Sequence, residues 1–196
     1  MRQGPSRALV IPLVCLAVAV EAAEDPRVAP ALAQARAAAV SLSTELRELL
    51  QKEMAAGGVK AGVQVCATVA QEKTRAFRER EGRDVRRVSL RNRSLLNVPD
   101  EYERQVLESF DRLDPEKRAS AESYEVVRVG EKEVLRYLRP IVTAQTCLGC
   151  HGDPAKIDPA VKALLAESYP DDKATGFAVG DVRGAVSVRI PLEAGH

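Results

Sequence analysis

The run Cys147-Leu148-Gly149-Cys150-His151 constrains this chain more than any other stretch. A C-x-x-C-H spacing is the signature of covalent c-type haem attachment. Two thiols at this spacing lie about one helical turn apart, so both can meet one edge of a macrocycle and add to its vinyl groups as thioethers. The imidazole next in the chain is carried to the iron as proximal axial ligand, and the tether fixes where it lies. Two other readings compete. A structural zinc site needs two more ligands at similar spacing, and there is no second C-x-x-C pair. A thioredoxin-like dithiol opens a helix after a buried strand in a βαβ unit, and the sequence shows no such unit.

Residues 1–22 read as a secretory signal. Arg2 and Arg7 form the positive n-region, and Ala8 to Val20 an apolar h-region short for a membrane span. Val20-Glu21-Ala22 then suits cleavage after Ala22, with an uncleaved anchor as the alternative. Cys15 lies inside the h-region, lacks the small residue expected before a lipoprotein cysteine, and should leave with the signal. Export and motif support each other, because c-type haem is attached outside the cytoplasm. The expectation is a periplasmic protein with no membrane span after signal cleavage, in which residues 23–196 form one domain with a real core. The full chain balances 29 Lys and Arg against 28 Asp and Glu, and no basic block argues for nucleic acid. It has no Trp, 4 Tyr and 3 Phe, so a bound haem would supply apolar volume that the side chains do not.

A second axial ligand has few sources. Strong candidates are His, Met and Cys. Outside the signal and the haem motif, these are His196, Met54 and Cys66. His196 is the last residue, where chains fray. Met54 stands in a charged Lys-Glu-Met-Ala-Ala-Gly-Gly helix end. Cys66 sits mid-stripe on an apolar face, with no disulfide partner once Cys147 and Cys150 are taken. A buried free Cys is also a common small hydrophobe, so the residues alone leave the choice open.

Periodicity predicts the elements. Ala31 to Ala56 is a long amphipathic helix with Leu42, Leu46, Leu49 and Leu50 at helical spacing, after a Pro26–Pro30 leader and stopped by Gly57-Gly58. A second helix runs from Val59 to about Glu81, with Val59, Val63, Cys66, Ala70 and Phe77 in one stripe; Val63 and Val65 also allow a short strand there. Val85 to Arg91 reads as a strand. Asp100 caps a helix reaching about Leu113, and Pro115 to Ala119 is a loop. Ser123–Val129 and Glu133–Val142 form a hairpin about Gly130. After the haem loop come a short helix, Pro159 to Tyr169, and a last hairpin, Thr175–Val179 with Ala185–Ile190, about Gly180-Asp181. Antiparallel strands with helices to one side give an α+β domain.

Several blocks in this order resemble a family of exported c-haem domains with a PAS-like fold, long known only as a domain of unknown function. They are Val63-Gln64-Val65-Cys66, Arg87 to Arg93, Asn97-Val98-Pro99-Asp100-Glu101-Tyr102-Glu103, and Tyr137-Leu138-Arg139-Pro140-Ile141 leading into Cys147 to Gly152. Tyr169 to Gly176 and Gly180 to Ala185 complete the set. One departure comes after Arg93, where the family reads Asn-Pro and this chain has Ser94-Leu95. The resemblance covers nearly the whole chain after the signal. It implies a PAS-like antiparallel sheet with two long N-terminal helices and a haem-binding loop, and haem c iron ligated by His151 and by Cys66 as thiolate. A thiolate stabilises ferric iron and implies a low potential. Its departure as a thiol on reduction would open a position for CO or NO, with the Cys66 helix as the moving part. Arg87, Arg91, Arg93, Arg139, Lys173 and Arg183 are the candidates for the haem propionates.

The leading expectation is therefore a non-enzymatic sensor of redox state or of a diatomic gas. With no output domain in the sequence, it would act through a separate signalling protein. A soluble electron carrier with a redox partner is the second reading. An enzyme such as a peroxidase would need an open distal site with a positioned acid–base group, and the interior offers no spare His. A haem-stabilised structural subunit completes the alternatives.

Overall fold

The computed structural model describes residues 25–192. The expected signal, residues 1–22, and His196 lie outside the described residues.

Helix α1, Val28–Gln64, starts three residues before the expected Ala31. Pro30 falls in its first turn, where a missing N–H breaks no helical bond. At Gly58 the backbone leaves helical geometry (φ 66, ψ −163), a region open essentially to glycine, so the predicted stop lies where it was expected. The chain then doubles back. Met54 lies against Gly62, Glu45 Oε1 pairs with Arg80 Nη2 at 2.7 Å, and Gln34 Oε1 accepts from Arg83 Nη2 at 3.2 Å. The second helix is not uniform. Val65–Val69 is a π-turn, and the α-helix resumes as α2, Ala70–Glu81. Gly82 ends it in the left-handed conformation (φ 61).

The sheet is antiparallel, in the order β1-β4-β3-β2, from β1 (Asp84–Val88), β2 (Ser123–Val129), β3 (Lys132–Val142) and β4 (Val182–Leu192). The hairpin of β2 and β3 turns at Gly130 (φ 63), as predicted. Ala31, Leu32, Ala35, Ala38, Ala39 and Leu42 of α1 lie at three- and four-residue steps and pack on Val85, Leu135, Tyr137, Val186, Val188 and Ile190. The small alanines bring the helix close to the sheet, and each fully buried Leu, Ile or Val contributes about 1.5–3 kcal/mol. The opposite face is covered by α3, Glu101–Asp111, through Val106, Leu107 and Phe110 on Val88, Leu138 and Ala185. Asp100 caps α3 in a reciprocal capping box with Glu103. The α+β class expected from element order is the class observed.

Four local expectations are corrected. Strand β1 ends at Val88, not Arg91, because Ser89 turns away, its N–H bonding Asn97 O and its hydroxyl donating to Arg183 O. Pro115–Arg118 is a short helix, α4, rather than a loop. The haem loop is itself helical, a 3₁₀ turn at Gln145–Cys147 followed by α5, Leu148–His151. After α6, Pro159–Ser168, the segment Thr175–Val179 is not a strand. Its N–H groups are committed elsewhere: Gly176 N–H donates to Gly152 O at 2.7 Å and Phe177 N–H to His151 O at 2.9 Å. The expected last hairpin is thus replaced by a strap along the exit of the C-x-x-C-H run.

Candidate functional site

Cys147, Cys150 and His151 stand together on the helical turn between β3 and α6. All three are partly buried. His151 Nδ1 lies 2.7 Å from the carbonyl oxygen of Ala174 in the strap. A carbonyl only accepts, so Nδ1 carries the proton and Nε2 keeps its lone pair. Burial, with the charges of Arg183 and Arg93, lowers the His151 pKa to about 2, so the ring is neutral. A metal-bound histidine has this arrangement, one nitrogen held by a carbonyl and the other free to coordinate. The Phe177 ring meets His151 edge-on, with centroids 6.3 Å apart.

The loop is clamped by Arg93. Its Nη2 donates to Cys150 O at 2.6 Å and to Ala174 O at 3.3 Å, and its Nε donates to Asp172 Oδ2 at 3.0 Å. Asp172 Oδ1 accepts in turn from Ala174 N–H at 2.8 Å. Reading residues one at a time missed Asp172. The Asp172-Lys173-Ala174 run carries a signal for it, a side-chain turn in which an aspartate accepts from the backbone two residues on.

Cys66 lies in the π-turn, partly buried. Just before the turn, Val63 of α1 joins Ile157, Val161 and Leu165 in one apolar cluster, with Cys150 and Tyr169 against it. Burial pushes the Cys150 thiol up, against the opposing charge of Arg93, and the neighbouring Cys66 and Cys147 add to the rise. Met54 lies against Gly62 at the turn of the helical hairpin. Among the described residues, Cys66 is thus the ligand candidate that the fold brings to the C-x-x-C-H run.

The six basic candidates separate. Arg93 is engaged in the clamp. Arg91 stacks 3.6 Å above Phe177 and donates to Thr175 O. Arg139 sits beside Tyr137 and Glu122, and Lys173 is exposed. Arg87 of β1 and Arg183 of β4 remain. Both line a narrow cleft with His151 and Ile141, and both have an enclosed Nε with no hydrogen-bond partner among the described residues. Burial lowers both guanidinium pKa values, and the like charge of Arg183 adds to the effect at Arg87.

The chain compares closely with known proteins in two respects. Residues 24–191 match the family model described as Tll0287-like. The crystal structure of the cyanobacterial heme-protein Tll0287 superposes with a TM-score of 0.59 at 25% identity, covering 80% of this chain and 94% of that chain. No curated protein matches. A family match over nearly the whole described fold, together with that superposition, places the sequence: the chain belongs to the Tll0287-like family.

Proposed function

We propose that this chain binds one haem covalently through Cys147 and Cys150, with His151 and Cys66 as the axial pair, and serves as a periplasmic sensor of redox state or of a diatomic gas rather than as an enzyme. The observation that carries the reading is the His151–Ala174 bond, which leaves Nε2 free beside two thiols of haem-attachment spacing. The relative named a heme-protein adds support.

The residues fit such a group. A haem supplies a one-electron Fe(III)/Fe(II) couple and carries two propionate carboxylates. The unpaired Nε groups of Arg87 and Arg183 suit those carboxylates, since a buried donor without a partner is unfavourable and a carboxylate satisfies it. Cys147 and Cys150 would hold the group by each adding S–H across a vinyl double bond, sulfur to one carbon and hydrogen to the other, with nothing leaving. Cys66 is the group that responds. As a thiolate it donates strongly and favours the ferric state. With a haem bound, reduction by an external one-electron donor would favour uptake of one solvent proton by Cys66 and its release as the neutral thiol, which would leave room for CO or NO.

A soluble electron carrier is the second reading. Leu95 (68% exposed) and Leu96 (70% exposed) directly precede Asn97, which lines the cleft. Exposed apolar side chains beside a redox group suit brief docking of a redox partner.

The test is the ultraviolet–visible spectrum of the haem-loaded protein, ferric and dithionite-reduced, beside Cys66→Ala. The expected result is a low-spin ferric spectrum with thiolate character that vanishes in the variant and weakens on reduction. Retention of both axial ligands after reduction favours the carrier. An unchanged spectrum in Cys66→Ala removes Cys66 from the iron.

A further inference from the structure

The carbonyl of Cys66 takes a hydrogen bond from outside its own helix. Through Val65–Val69 the ladder is π-helical, and Ala70 N–H closes on Val65 O, five residues back rather than four. Such a turn carries one extra residue and withdraws a carbonyl from the ordinary ladder, so it persists only where something else satisfies that carbonyl. Here the Tyr169 hydroxyl donates to Cys66 O at 2.6 Å.

Tyr169 comes directly after α6, and its ring packs against the cluster of Val63, Ile157, Val161 and Leu165. The Arg93 guanidinium lies 5.9 Å from the centre of that ring and donates to Cys150 O at 2.6 Å. One phenol therefore joins the segment carrying Cys66 to the segment carrying Cys147, Cys150 and His151. Burial pushes its pKa up to about 12, so the hydroxyl keeps its proton at any ordinary pH.

Loss of the hydroxyl removes this bond from the Cys66 carbonyl. The turn then relaxes toward plain α-helix, and absorbing one residue rotates the N-terminal part of the helix by about 100° against its C-terminal part. Resting on the haem reading above, we propose that Tyr169 is a positioning residue for Cys66: its hydroxyl holds the π-turn, and with it the placement of the Cys66 thiol relative to His151.

The experiment uses haem-loaded wild type, Tyr169→Phe, Cys66→Ala, and protein with 3-fluorotyrosine introduced at position 169. Covalent haem content, the ferric thiolate absorption and the midpoint potential are read for each. Tyr169→Phe keeps the ring and is expected to keep covalent haem in full yield. It should lose part of the thiolate absorption and shift the potential upward, toward the value of Cys66→Ala. Fluorotyrosine is the stronger donor and should shift the potential the other way, which mere loosening of the fold cannot do. If Tyr169→Phe proves unstable, the fluorotyrosine protein decides alone, and an unmoved potential in it overturns the proposal. A wild-type spectrum and potential in Tyr169→Phe, beside a changed Cys66→Ala, overturns the role of Tyr169 and leaves the haem reading standing. An unchanged Cys66→Ala overturns the axial role of Cys66 and this inference with it.

Discussion

His151 Nδ1 and the carbonyl oxygen of Ala174 lie 2.7 Å apart, and this bond determines which ring nitrogen is left to coordinate. Ala174 is held there by Asp172 and Arg93, whose side chains are only 12% and 9% exposed. Removing one partner of so enclosed an ion pair leaves the other charge unmatched. Arg93→Leu is expected to lower stability by about 3 kcal/mol, measured by urea denaturation. It should also reduce covalent haem yield, since the Cys150 and Ala174 carbonyls lose their donor. A variant as stable as wild type would show that the clamp is ornamental.

Gly152 closes the C-x-x-C-H turn by close approach. A Cβ there would lie 2.6 Å from Leu148 O, which already accepts the Gly152 N–H at 3.0 Å. Gly152→Ala must push the turn open, which should cost about 1–3 kcal/mol. The same change at Gly149, where a Cβ meets nothing within 4 Å, should be nearly neutral. Comparing thermal midpoints of the two variants checks this, and equal losses would refute it.

Asp100 Oδ2 accepts from Arg136 Nη2 and from Arg189 Nη2, each at 2.6 Å, while Oδ1 caps α3 through Glu103 N–H. Asp100→Ala removes cap and counter-charge together and should destabilise by about 2 kcal/mol. Asp100→Asn keeps a capping oxygen and should recover part of that loss. Equal denaturation midpoints for the two variants would assign the whole effect to charge.

Burial, and then the Glu122 carboxylate that its hydroxyl bonds, raise the Tyr137 pKa from 10.0 to about 12. The folded state holds this proton more tightly than the unfolded chain. Its contribution to stability is therefore complete below pH 10 and lost as pH rises through about 12. Thermal midpoints of wild type and Tyr137→Phe should accordingly converge between about pH 10 and 12. A constant gap across that range would exclude Tyr137 as a source of alkaline instability.

Much of this fold was legible in the residues because it depends on short-range rules. Gly58 breaks the N-terminal helices through its own backbone freedom, Asp100 caps α3 three residues away, and Gly130 turns a hairpin between adjacent strands. Two of the misreadings share one cause. Thr175–Val179 has strand-like residues, yet its N–H groups meet His151 and Gly152 rather than β4. The stripe through Cys66 has helical spacing, yet spacing cannot reveal that the turn is a π-turn bonded from Tyr169.

By itself the sequence determined which residue types can do the chemistry: two thiols and an imidazole at haem-attachment spacing, and Cys66, Met54 and His196 as candidates for the second ligand. Only the tertiary structure decided how they are held. It joined the Cys66 turn to Tyr169, laid Met54 against Gly62, and left the Nε atoms of Arg87 and Arg183 without hydrogen-bond partners among the described residues. The reason is the span of the contacts. Tyr169 and Cys66 are 103 residues apart, and Arg93 and Cys150 are 57 apart. No local pattern encodes such pairs, because their partners meet only after the helical hairpin and the sheet have packed.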